Sequence, residues 1–263
     1  MSRPPCPALL LALLLAPAAA EARPPAAKPP CPALVGGVRL AKSGPGWRIP
    51  SPWAERGLSW GTRDLVGLIT RAAGRLRRLA PGAVLGVADL SPRRGGGSRW
   101  HRTHRHGEDV DLLFFWTDAK GQPVPHGPSM VAFDCDGRGA SKDEAGNAVP
   151  PLRLDVPRTW ALVRALAEDR AGVVADVLIA GCLRSKLLEH ARATRAPRGV
   201  IAKAARLTRQ PRFAPHNDHI HVKIAGSPER CTAPPASVPA SASVPAPASA
   251  PASAPGRERG SRR

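Results

Sequence analysis

Alternation of polar and apolar positions is clearest in His219–Ile224 (HIHVKI). There His219, His221 and Lys223 fall on one face of a strand, and Ile220, Val222 and Ile224 fall on the other. Three more runs read as strands: residues 84–90 (VLGVADL), 110–116 (VDLLFFW) and 173–180 (VVADVLIA). Between the strands the apolar period lengthens to about 3.6, the period of a helix. Residues 62–79 line up Leu65, Ile69, Ala72, Leu76 and Leu79, with Thr62 as N-cap. Residues 157–169 carry Trp160, Val163, Leu166 and Ala167 on one face, with Pro157 in the first turn. Residues 184–194 form a shorter third helix, and the Gly-, Pro- and Asp-rich stretch 117–150 reads as a long excursion. The pattern predicts an α+β domain with a central, mainly antiparallel sheet of about four strands, flanked by helices and long loops. A doubly wound parallel sheet is the alternative, but no Gly-rich phosphate loop follows any strand.

The ends follow different rules. Residues 8–16 (ALLLALLLA) follow Arg3 and precede Ala18, Ala19 and Ala20, which reads as a signal peptide over residues 1–20. The run is too short to span a bilayer, so no transmembrane segment is expected. Residues 21–33 form a Pro/Ala-rich lead-in. Residues 232–263 are an Ala/Ser/Pro tail with a basic tip, too poor in apolar side chains to offset the entropy of ordering. The folded domain is therefore expected over residues 34–231.

Export changes the reading of the cysteines and of the charge. Loss of residues 1–20 would leave Cys31, Cys135, Cys182 and Cys231, an even set with three possible pairings into disulfides. The net charge of +19 suggests nucleic acid only in a cytosolic protein. In an exported chain the anionic partners are envelope polymers or lipid headgroups.

Six of the eight histidines fall in two short stretches, HRTHRHGEDVD at 101–111 and HNDHIH at 216–221. Asp109 and Asp111 open an apolar strand, where carboxylates are costly unless paired or ligated. Gly107 can turn the loop back and bring His104 beside Asp111. If that strand neighbours HIHVKI, then His104, Asp111 and His221 converge. Two imidazoles and a carboxylate with a position left for water is a catalytic zinc pattern. His219, on the same strand face as His221, then becomes the candidate for proton transfer. His101, Asp109 and Asp218 become candidates for orienting the ligands. His106, His126 and His190 read as solvated or structural. Neither spacing is HExxH. Non-haem iron oxygenases also use two His and a carboxylate, but with a shorter spacing than His104 to Asp111.

HxxHxxGxDVD followed by HxDHxH resembles the penicillin-insensitive murein endopeptidases, within the wider lysostaphin and D-Ala-D-Ala metallopeptidase group. His101, His104, Gly107, Asp109, Val110 and Asp111 match the first motif, and His216, Asp218, His219 and His221 the second. Residue 217 is Asn where many members carry Asp. The resemblance spans about residues 34–225. It implies one Zn²⁺ per chain on His104, Asp111 and His221, with His219 and His216 at the reaction centre. It also implies hydrolysis of peptidoglycan cross-links, chiefly D-Ala to meso-diaminopimelate, in the periplasm or outside the cell. The rivals are a zinc D,D-carboxypeptidase acting on stem peptides and a non-catalytic basic envelope-binding protein.

Overall fold

In a computed structural model, the residues described are 34–141, 145, 147–212 and 214–226. The expected signal peptide, lead-in and tail lie outside the described residues, with Cys6, Cys31 and Cys231.

His219–Ile224 is a strand, as its alternation requires, and it sits inside a four-stranded sheet. The order is Thr208–Arg209, Val174–Leu178, His219–Ile224, Asp109–Leu113. The last two pairings are antiparallel, and Thr208–Arg209 runs parallel to Val174–Leu178. Ile220, Val222, Ile224, Val110 and Leu112 are all buried in the core. The opposite face carries Asp109, Asp111, His219 and His221.

Residues 84–90 depart from the expected strand. Only Leu85–Gly86 is regular strand, and it pairs with Trp47–Arg48 in a separate small sheet. Gly86 is there because a Cβ would lie 2.7 Å from His126 Nδ1. Beyond it the chain runs alongside Asp109–Leu113. Ala88 N donates to Asp111 O at 2.8 Å, and Asp111 N donates to Asp89 O at 3.0 Å. Thr208–Arg209 fills the fourth place in the central sheet. The 110–116 run also divides. Its strand ends at Leu113, and Trp116–Thr117 joins another sheet.

That second sheet is what the 117–150 excursion becomes. Its order is Trp116–Thr117, Leu152–Leu154, Arg138–Ala140, Ala132–Phe133. Asp134 shapes one of its turns by accepting from the backbone N–H of Asp136 and Arg138 at 2.9 and 2.8 Å. A disulfide joins Cys135 in this turn to Cys182.

Five helices complete the described residues: α1 Ser51–Arg56, α2 Arg63–Leu79, α3 Val156–Ala167, α4 Gly181–Ala193 and α5 Arg198–Leu207. Thr62 caps α2 by accepting from Leu65 N at 3.2 Å. The α2 face that enters the core is Leu65, Leu68, Ile69, Ala72, Ala73 and Leu76. Asp155 caps α3, one residue earlier than the Pro157 start suggested. α3 packs between α2 on one side and α4 and α5 on the other, so most of its surface is buried. Arg71 bonds Asp169, and Arg75 bonds Glu168, tying α2 to the end of α3. Arg184 of α4 donates to the carbonyls of Ala205 and Thr208 at 2.9 Å each, where α5 ends. α1 and α5 were not expected. α1 is under two turns long, and α5 buries only Ala204 fully.

Gly107 has φ +70°, and a Cβ there would lie 3.0 Å from Thr62 N and 3.1 Å from Gly61 Cα. Those neighbours are backbone and cannot rotate away. Gly107→Ala is therefore expected to lower stability by about 1–3 kcal/mol through backbone strain alone. A denaturant midpoint equal to that of the unaltered protein would contradict this reading of the turn.

Candidate metal centre

The sheet register sets the site. His221 lies directly opposite Asp111, and Lys223 opposite Asp109. Both aspartates are buried. The loop before them turns back at Gly107, whose N–H donates to Ser91 Oγ at 2.9 Å and whose carbonyl accepts from Thr62 N at 2.9 Å. His104, also buried, reaches in from this loop. Its Nδ1–H donates to the Leu90 carbonyl at 2.9 Å, which leaves Nε2 as a lone pair.

That lone pair is 3.3 Å from Asp111 Oδ1 and 3.3 Å from His221 Nδ1. His221 Nδ1 is in turn 3.0 Å from Asp111 Oδ1. His221 Nε2–H donates to Asp109 Oδ1 at 3.0 Å, so its Nδ1 also faces inward. Two ring nitrogens and a carboxylate oxygen thus meet at one point. All three are acceptors, and acceptors held this close need a proton or a cation among them. The donor set, two imidazoles and a carboxylate, suits a zinc-like ion.

Without a cation, protons take that place. Burial disfavours the His221 imidazolium, but hydrogen bonds and charge from Asp109 and Asp111 outweigh it and raise its pKa to about 9. Burial likewise disfavours ionised Asp111. The charges of His104 and His219 and bonds from His104 and His221 prevail, and hold it well below the usual carboxylate range.

The remaining residues surround this point. His219 Nδ1–H donates to Asp218 Oδ1 at 2.7 Å, and its Nε2 lies 3.4 Å from Asp111 Oδ1. Burial disfavours its charged form, yet Asp111 and Asp218 raise its pKa overall. The strand begins at His219, so Asp218 escapes the alternation and touches His219 rather than the ring nitrogens of His104 and His221. His216 has φ 47°, and its ring centroid is 5.0 Å from that of His219 and 5.6 Å from that of His221. Burial lowers its pKa. His101 stacks on His104 with centroids 4.1 Å apart. By distance alone two groups of potential ligands emerge, His101, His104, Asp111 and His216, His219, His221, and they abut where His221 meets Asp111.

Two further residues belong here: Asp89, to which the sequence reading assigns nothing, and Asn217, which it notes only as a departure from Asp. Asp89 Oδ2 bonds His101 Nε2 at 2.8 Å and Arg56 Nη1 at 2.7 Å. The available signal was a carboxylate inside the apolar run VLGVADL. Asn217 also has a task, as its side-chain amide donates to the Phe133 carbonyl at 3.1 Å while Phe133 N donates to its carbonyl at 2.8 Å. The disulfide-held turn is thereby fastened to the second motif. His126 lies elsewhere and braces the fold. Its Nε2–H donates to Phe114 O at 3.0 Å, and burial pushes its pKa down to about 4. His190 sits in the last turn of α4, and His106 is half-buried in the loop.

A family model for penicillin-insensitive murein endopeptidase matches residues 30–242, and the chain belongs to this family. No curated protein matches the chain. Membership makes the protein a peptidoglycan endopeptidase, with peptidoglycan as its substrate. A cell-wall enzyme with a Cys135–Cys182 disulfide is consistent with an envelope location. Among the described residues no helix is long and apolar enough to cross a membrane.

The His221 shift gives a pH test on metal-free protein. A histidine pKa raised from about 6.5 to about 9 contributes stability that is full below pH 6.5 and lost as pH rises through 9. The stability gap between the unaltered protein and His221→Gln should therefore narrow from pH 6.5 to 9, by at most about 3 kcal/mol. Saturating metal should abolish that pH dependence, because the cation displaces the proton. A gap that widens with pH would contradict the assigned partners.

Proposed function

We propose that the chain is a zinc-dependent endopeptidase that cuts D-Ala to meso-diaminopimelate cross-links, holding one Zn²⁺ on His104, Asp111 and His221. The observation that supports this most is the meeting of three acceptor atoms at 3.0–3.3 Å in a buried site. Bound zinc supplies a Lewis acid that polarises the scissile carbonyl and makes water a nucleophile at neutral pH.

The chain's own residues do the rest. Asp109 holds His221 in the tautomer whose Nδ1 is open, and the Leu90 carbonyl does the same for His104 Nε2. Asp218 fixes the His219 ring by its Nδ1–H, so Nε2 is the atom that holds a proton beside Asp111 and passes it to the leaving amine. His216 lines the same cleft and adds a second imidazole, neutral at physiological pH, near that transfer. In this reading residues 1–20 direct export to the periplasm or beyond and are removed. Residues 34–231 form the catalytic domain. The basic surface and the tail 232–263 add weak, salt-screened attraction to anionic envelope polymers.

The test is digestion of purified cross-linked muropeptide dimers and of monomeric pentapeptides, with and without chelator, read by mass. Dimers should be cut at the D-Ala to diaminopimelate bond, and chelator should stop it. Release of terminal D-Ala from monomers alone would make the protein a carboxypeptidase. His104→Ala, Asp111→Ala and His221→Ala should each lose most bound zinc and nearly all turnover. His219→Ala should keep its zinc and lose roughly 10²–10⁴ in rate, the span for a general acid–base group. Zinc loss equal to that of His221→Ala would make His219 a ligand instead.

A further inference from the structure

We propose that Asp89, held by Arg56, is the positioning residue for His101. It fixes the His101 proton on Nε2 and turns the Nδ1 lone pair toward the reaction centre. The inference rests on the reading of His104, Asp111 and His221 as the metal-binding set.

Asp89 is fully buried inside an otherwise apolar run. A buried carboxylate is tolerated only with a counter-charge and hydrogen bonds. Both converge on one oxygen. Oδ2 accepts from His101 Nε2 at 2.8 Å and from Arg56 Nη1 at 2.7 Å, while Oδ1 has no partner among the described residues. Here one oxygen is placed for His101 and the other is left over.

The backbone makes the placement firm. The Asp89 carbonyl accepts from Asp111 N at 3.0 Å, so Asp89 is tied to the very residue at the centre of the site. Arg56 is fixed from its other side. Its guanidinium lies 4.1 Å from the Trp100 ring centroid and 5.7 Å from that of Trp53. This gives a task to Trp100, one of the few exposed large apolar residues.

His101 without Asp89 would be underdetermined. Its stacking on His104, 4.1 Å between centroids and 20° between planes, is insensitive to which nitrogen carries the proton. A carboxylate only accepts, so the Asp89 contact requires Nε2–H. Nδ1 then presents a lone pair 3.6 Å from Asp111 Oδ2, at the edge of the metal-facing atoms. It can accept a hydrogen bond from a water or a substrate N–H there. A proton on Nδ1 would instead be spent on Asp111.

The experiment is ¹⁵N NMR of histidine-labelled full-length protein, metal-free and zinc-loaded, with His101→Gln identifying the His101 signals. The expected result is protonation at Nε2 alone in both states. Asp89→Ala should leave His101 in mixed tautomers. It should also lower kcat about ten- to a hundred-fold, the usual cost of losing such a partner, with KM and zinc content unchanged. Asp89→Asn keeps an oxygen in the Oδ2 place and should restore the Nε2–H tautomer and most of kcat. If Asp89→Ala does not fold, the unaltered protein still decides, since a His101 proton on Nδ1 overturns the proposal. An unchanged tautomer in Asp89→Ala overturns it as well. The metal reading fails separately, on zinc retained by the His104 and His221 variants, and the tautomer of the metal-free protein does not depend on it.

Discussion

Two carboxylates buried on one face of a sheet have to be compensated, and the surroundings of the site are largely that compensation. Asp109 and Asp111 sit in a strand buried at every position. An unpaired carboxylate there would cost several kcal/mol. The neighbouring strand answers with His221, placed opposite Asp111 by register and bonded to both aspartates. The loop turned by Gly107 answers with His104. Because every partner of Asp111 Oδ1 is an imidazole, the same arrangement that relieves the carboxylate also assembles a donor set that could hold a metal. Stability and chemistry are coupled at this point.

A second layer holds the imidazoles themselves. Each ring nitrogen turned away from the centre meets an acceptor: the Leu90 carbonyl for His104, Asp109 for His221, Asp218 for His219, Asp89 for His101. Fixed rings leave the inward nitrogens of His104, His221 and His101 with defined lone pairs and turn His219 Nε2 toward Asp111, which is what a reaction centre needs to act without reorganising. The family's activity on peptidoglycan is consistent with this preorganisation.

Much of this was legible because strand alternation is a strict geometric rule. The period of two put His219 and His221 on one side of HIHVKI, and the Asp109/Asp111 pair showed the same period on its partner. The glycine at 107 was legible because only a turn explains it between His104 and Asp111. The α2 face was legible from a 3.6-residue period sustained over several turns. Other features left weaker marks. Residues 84–90 looked like one strand because apolar content hides where pairing stops. The regular strand ends at Gly86, and beyond it the chain turns its bonds to Asp111 on a different sheet. Asp89 was hidden by the same run, since its meaning depends on Arg56 and His101 arriving from elsewhere. α5 was passed over although Val200, Ile201, Ala204 and Leu207 recur at helical spacing, because only ten residues carry the pattern. The Cys135–Cys182 bridge was one of three pairings that spacing could not separate.

The most direct measurement is an anomalous difference map at the zinc edge from crystals of the zinc-loaded protein. The account predicts one peak, at about 2 Å from each of His104 Nε2, Asp111 Oδ1 and His221 Nδ1. A peak among His216, His219 and His221 that excludes Asp111, or one bound through the outward nitrogens of His104 and His221, would contradict it.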